Sequence, residues 1–294
     1  MNNPYKRTDV FVCNYESHAR FKNRVSVYHV LKEKKCYPQG CIFFKWSCEL
    51  RNKGKKCIRN FKYMGRLCEG CTYYLDEKIN YQPRLKLSKL EYERFTEELE
   101  SFDDWIEEIK DHKISFWCRI GSLKPRFKRM IDGSHGHFRL DGYVAVCCDG
   151  FIGTTAFDGY FYVYISPRLQ DRLRPATGDA FEAKGYVTLD RGRLLIHRVH
   201  HIEFEMRSGE KGWSNSEALV CREIASRFSH QPESCLHCPH GALVDTQERK
   251  QGKVISRREL YCLEGIADPE TCYIAPLEKI DMCKINQNKA NYSL

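Results

Sequence analysis

Side chains of a β-strand point alternately to opposite faces, and the segment Gly159-Tyr-Phe-Tyr-Val-Tyr-Ile165 follows that period throughout. Phe161, Val163 and Ile165 fall on one face as a core row. Tyr160, Tyr162 and Tyr164 fall on the other and present flat amphipathic rings. The same period divides residues 114–120 into inward Phe116, Cys118 and Ile120 and outward Trp117 and Arg119. It divides 137–146 into inward Phe138, Leu140, Val144 and Val146 and outward His137, Arg139, Asp141 and Tyr143.

Downstream of this third strand, Ser166-Pro167 with Leu169 and Leu173 four apart predicts a short helix opening at Pro167. Residues 180–189 and 194–204 predict two further strands joined by the tight turn Asp190-Arg-Gly-Arg193. The order is three strands, a short helix and a hairpin. It resembles the oligonucleotide/oligosaccharide-binding (OB) fold over about 90 residues, a small barrel whose second and third strands and two loops hold the ligand. The resemblance implies a platform of Trp117, Arg119, Arg139, Tyr143, Tyr160, Tyr162 and Tyr164. It implies phosphate contacts from Lys124, Arg126, Lys128 and Arg129 in one loop, which also carries Phe127 to the nucleic acid, and from Arg191 and Arg193 in the other.

Sixteen cysteines stand in the 294 residues, six of them between 36 and 71: Cys36, Cys41, Cys48, Cys57, Cys68 and Cys71. The opening residues do not read as a secretory signal, so these thiols are expected to be metal ligands in a reducing, cytoplasmic compartment rather than disulfides. Cys68-Glu-Gly-Cys71 is the one tight pair. Irregular spacing elsewhere suits a [4Fe–4S] cluster, and zinc remains the alternative. Four of the six would serve, foremost Cys48, Cys57, Cys68 and Cys71. Residues 1–72 hold 16 Lys/Arg against 5 Asp/Glu, a local charge of +11. Between the cysteines, bases alternate with Phe43, Phe44, Trp46, Phe61 and Tyr63, a pattern that suits a phosphate backbone with stacked bases.

Ser88 with Glu91 three residues later is a capping box. It opens a predicted helix to about residue 112 that carries ten acidic residues and three Lys/Arg. A second helix starts at Ser214 or Asn215. Beyond it, Cys235-Leu-His-Cys238-Pro-His-Gly241 is similar to the first knuckle of a zinc ribbon. Cys262 and Cys272 follow with nine residues between them, where a ribbon would have two. A closed four-cysteine site for Zn2+, with an iron–sulfur cluster as the alternative, is expected there, with His237, His240 and Cys283 in reserve.

The expected organisation is therefore α+β, with a central five-stranded OB-like barrel. Residues 1–82 form a basic metal-binding lobe, 83–113 an acidic connecting helix, 114–206 the barrel, and 207–294 a helix plus a ribbon-like metal site. No apolar run approaches the length of a membrane helix. Phosphate-binding, dinucleotide-binding, metalloprotease, hydrolase-elbow and deaminase motifs are all absent, so no catalytic residue is assigned. The expected function is a cytoplasmic, metal-containing protein that binds single-stranded DNA or RNA. The alternatives are an iron–sulfur enzyme acting on a nucleic acid and a noncatalytic scaffold subunit whose tyrosine row contacts another protein.

Overall fold

A computed structural model describes residues 1–132, 135–229, 232, 235–236, 238–250 and 253–274. The chain forms two compact units, Arg7–Tyr92 and Met1–Lys6 together with Glu93–Leu294. The reserve ligands His237 and Cys283 lie outside the described residues.

The smaller unit begins with the two-residue strands β1 (Phe11–Val12) and β2 (Arg24–Val25). It continues with a hairpin of β3 (Cys41–Cys48) and β4 (Tyr74–Tyr81), with the short helix α1 (Glu49–Asn52) after β3, and ends with β5 (Arg84–Leu85). Strands β2-β1-β5 make a three-stranded sheet, and β3-β4 stand as a sheet of two. Its core is small: Val10, Phe11, Cys13, Val25, Val27, Val30 and Cys36 are buried. One face of the hairpin packs Phe43 and Tyr81 around Tyr15, whose ring stacks on Phe43 at 4.1 Å.

The acidic helix α2 (Lys89–Ile109) opens with the expected capping box: the Ser88 backbone N–H donates to Glu91 Oε2 at 2.8 Å. In the larger unit, its apolar stripe buries Phe95, Phe102, Trp105 and Ile106. Trp105 stacks near Phe157 with 6.0 Å between ring centroids, and Tyr5 meets Phe102 edge-on at 5.8 Å. The rest of the unit is built from β6 (Lys113–Asp132), β7 (His135–Ile152), β8 (Thr155–Phe157), β9 (Phe161–Ile165), α3 (Pro167–Leu173), β10 (Ala180–Asp190), β11 (Arg193–Met206), α4 (Asn215–Ile224), β12 (Ser226–Arg227), β13 (Gly241–Lys250) and β14 (Lys253–Cys262). The short helix is where Ser166-Pro167 places it, with the Ser166 hydroxyl accepting from the Leu169 N–H at 3.2 Å. The β10–β11 turn has positive φ at both Arg191 (51°) and Gly192 (76°), the backbone of a type I′ hairpin turn.

The fold departs from the expected architecture. In place of a five-stranded barrel set apart from a ribbon module, the unit forms one nine-stranded mixed sheet in the order β12-β14-β13-β6-β10-β11-β9-β7-β8, with β6 and β7 also paired. The cause is strand length. β6 runs for 20 residues and β7 for 18, where the sequence pattern marks seven and ten. The first part of β6 pairs with β10, from Lys113 to Arg119. Its far part, from Phe127 to Asp132, pairs with β13 in parallel. The ribbon strands are thereby stitched into the central sheet.

Candidate functional site

Alternation of side chains fails at Asp141 in β7, and that failure reshapes the expected platform. Arg126 lies opposite Gly142 and Phe127 opposite Leu140, so Asp141 is an extra residue, a β-bulge that reverses the inward and outward faces beyond it. Gly142 is required at this point, because a Cβ there would lie 2.6 Å from the Ile165 carbonyl oxygen. Past the bulge, Tyr143, Ala145 and Cys147 face the core opposite Ile165, Val163 and Phe161. Tyr143 is fully buried, and its hydroxyl lies 3.0 Å from Asn215 Oδ1. It is a core residue, not part of an exposed row. Val144 and Val146 instead share a face with Tyr164 and Tyr162.

That face is covered. Tyr162, Val144, Leu236 of the knuckle segment, Leu243 and Asp245 of β13 and Arg258 of β14 line a single cavity. The Tyr164 hydroxyl donates to the Asp141 carbonyl at 2.6 Å. Tyr160 is more open. The cations expected in a loop sit instead in strand β6. Phe127 is buried, and Lys124 retains only 5% of its surface. Lys124 Nζ donates to the carbonyls of Leu236 (2.6 Å) and Cys238 (3.1 Å). Burial brings its pKa down to about 7, opposed by Cys238 and Cys235 and reinforced by Arg193.

The remaining expected contacts are divided among several places. Lys128 pairs with Asp141 at 2.8 Å, with Arg139 3.6 Å from the same carboxylate. Arg129 lies over the Phe138 ring at 5.1 Å, and Arg191 is exposed at its turn. Arg119 is half-buried in β6. Trp117 faces its cross-strand neighbour Phe151 at 6.4 Å and donates Nε1–H to Glu205 at 2.6 Å. With Glu182 in the same cleft, Trp117 has acidic surroundings that would repel a phosphate. Asp190, Asp245 and Arg258 complete the charged network of the covered cavity, and sequence reasoning missed them as site residues. The only sequence signal was charge on inward positions of a presumed ribbon strand.

The six N-terminal cysteines separate into two groups. Cys36 is buried, and its thiol is pushed up to about 12 by burial and by neighbouring Cys41 and Cys13. Cys48, Cys57, Cys68 and Cys71 all lie in the segment that closes the β3–β4 hairpin. Cys48 stands opposite Tyr74, and the Glu49 N–H donates to the Tyr73 carbonyl at 2.9 Å. The Cys71 N–H donates to the Cys68 carbonyl at 3.0 Å. Arg59 donates to the Leu67 carbonyl at 3.0 Å, and Arg51 to that of Phe61 at 3.1 Å. The N–H groups of Arg59 and Phe61 hold the Cys57 thiol below its usual range, an arrangement that favours a thiolate. From Cys41 to Gln82 the hairpin and its loop contain no buried residue.

At the C-terminal site, the Gly241 N–H donates to the Cys238 carbonyl at 3.0 Å. A Cβ on Gly241 would lie 1.8 Å from the Cys235 carbonyl oxygen, so only glycine fits the knuckle. Cys262 is the strand partner of Gly241 and packs with Cys235 in one apolar cluster. Cys272 follows a 3-10 turn at Pro269–Thr271, and His240 Nδ1 lies 2.8 Å from Glu264. Among the described residues, no three Cys, His, Asp or Glu side chains already converge as a metal site. No helix among them is long and apolar enough to cross a membrane.

Comparison with protein-family models, with curated proteins and with solved structures finds no match.

Proposed function

We propose that the chain is a metal-containing protein that binds single-stranded nucleic acid, with the β3–β4 hairpin as its contact surface. The supporting observation is the outer face of that hairpin, where Ile42, Phe44 and Trp46 stand exposed at every second position of β3. The connected segment from Cys41 to Tyr73 carries eight Lys/Arg against two Glu, 8 − 2 = +6. Open rings take stacked bases and flanking cations take phosphates, without regard to sequence. The covered tyrosines of the central sheet have no such access, so the contact surface is moved off them.

Cys48, Cys57, Cys68 and Cys71 hold the metal of this unit, and Cys235, Cys238 and Cys262 with Cys272 hold a second. Four thiolates suit Zn2+ or a [4Fe–4S] cluster at either place. Cys48, Cys57, Cys68 and Cys71 are not joined in disulfides, which fits a reducing, cytoplasmic setting. Metal quantification with a visible absorption spectrum of anaerobically purified protein separates the two: colour with iron in fourfold stoichiometry, or a colourless protein with zinc.

The binding test is a fluorescence titration with a labelled single-stranded oligonucleotide, as DNA and as RNA. Stacking supplies about 1–3 kcal/mol per base, so the double variant Phe44→Ala, Trp46→Ala is expected to bind at least tenfold more weakly at an unchanged Tm. A folded double variant with wild-type affinity would refute the reading. Absence of binding to either nucleic acid at low salt would transfer the apolar face to a protein partner.

A further inference from the structure

Four of the residues expected to contact nucleic acid converge in one small cavity. Lys124, Arg126, Tyr162 and Arg193 line a cavity of about 50 Å³ together with Arg258, Asp190 and Asp245. Three arginines and two carboxylates leave a charge of 3 − 2 = +1, to which the Lys124 ammonium adds when it is protonated.

The carboxylates are already engaged. Arg258 donates to Asp245 at 2.7 and 3.0 Å and to Asp190 at 2.8 and 3.2 Å. Arg126 shares Asp245 at 2.9 Å and lies 3.4 Å from Asp141. Burial alone would lower Arg258, but the two aspartates outweigh it and raise its pKa. Among the described residues, Lys124 has only carbonyl partners. Arg193 has less still: its guanidinium lies 5.5 Å from the centre of the Tyr162 ring and makes no hydrogen bond or ion pair with a described residue. Burial lowers its pKa, partly offset by Tyr162 and Asp190 and reinforced by Arg258.

Arg193 is half-buried, and its guanidinium donors are left open to an anion that enters the cavity. One water needs roughly 10–15 Å³ of such space, so the cavity holds about four oxygens, the size of a tetrahedral oxyanion. A guanidinium fork matches a phosphoryl group in two parallel hydrogen bonds. Val144, Leu195 and Leu243 supply apolar walls beside these cations. We propose that this cavity is a binding site for a phosphoryl group, either free inorganic phosphate or the terminal phosphate of a larger molecule, held by the Arg193 fork and the Lys124 ammonium. The site lies within the larger unit and does not depend on the hairpin reading.

The test titrates the full chain with inorganic phosphate at constant ionic strength, chloride replacing phosphate in the control, and reads Tm and phosphorus NMR linewidth. Wild-type protein is expected to gain Tm and broaden the phosphate signal at millimolar concentration. Arg193→Met should weaken phosphate at least tenfold while melting, without phosphate, no lower than wild type, because the Arg193 guanidinium makes no hydrogen bond or ion pair with a described residue. Arg193→Lys should recover part of the affinity. Absence of a Tm gain and of broadening in wild type overturns the proposal. So does a folded Arg193→Met that binds phosphate like wild type; if that variant does not fold, the wild-type titration decides alone. A 5′-phosphorylated trinucleotide compared with its 5′-hydroxyl form distinguishes the sources. Preference for the first assigns the site to strand ends, and equal behaviour assigns it to free phosphate.

Discussion

The two units use the same residue types in opposite ways. In the central sheet of the larger unit, Cys118 and Cys147 are core: both are fully buried between strands that also bury Phe116, Phe161 and Phe181. In the smaller unit, Cys48, Cys57, Cys68 and Cys71 are only half-buried, in a stretch with no buried residue at all. Charge is distributed in the reverse sense. The hairpin keeps its lysines and arginines in water, whereas the sheet encloses Lys124, Arg126 and Arg258 behind its C-terminal strands. A buried core can hold a loop in place, and a segment without one needs a staple. Ordering each backbone residue costs about 1–2 kcal/mol, and the hairpin loop has no apolar burial to offset that.

The sharpest way to break this comparison is to remove metal. A structural zinc contributes about 10–16 kcal/mol of apparent folding free energy. Chelation, or Cys68→Ser, is therefore expected to abolish amide-exchange protection across β3 and β4 while the strands β6–β11 keep theirs. Protection of the hairpin that survives in verified metal-free protein would refute the staple.

The next largest effect belongs to the enclosed charges. Asp245→Asn removes the shared partner of Arg126 and Arg258, and breaking a buried pair costs about 3–5 kcal/mol. Urea unfolding of the larger unit should show a loss of that size, with the hairpin's exchange protection unchanged. A loss no larger than that of an ordinary surface pair would show that water reaches the network.

The smallest effect is at the α4 cap. There the Ser214 hydroxyl accepts from the Glu217 N–H at 3.2 Å, and the Glu217 carboxylate accepts from the Ser214 N–H at 2.9 Å. The Lys211 ammonium and the Ser214 donors hold Glu217 down to about 2. Its folded pKa is lowered, so its stabilisation is present above the ordinary carboxylate value and is lost as pH falls toward 2. Glu217→Gln should lower Tm at neutral pH, and the gap to wild type should close in acid. A gap that stays constant with pH would assign the effect to shape and not to charge.

Much of the local structure was legible in the sequence. Ser88 with Glu91, Ser166 with Pro167, and Asp190-Arg-Gly-Arg193 specify a cap, a helix start and a tight turn through contacts within a few residues. The inward row Phe161, Val163, Ile165 is set by strand alternation, which needs no knowledge of neighbours. The knuckle at Cys235 and Cys238 was readable for the same reason, because Gly241 is fixed by its approach to a backbone six residues away. The bulge at Asp141 could not be read there, because an extra residue in one strand is defined only against its partner, and it turned Tyr143 from the surface to the core. The pairing of β13 with β6 likewise joins segments more than a hundred residues apart. Sequence determined which residues make strands, caps and thiol pairs. Tertiary structure alone decided which face of the tyrosine row would be covered and which charges would be enclosed, because both depend on long-range strand pairing that no local pattern encodes.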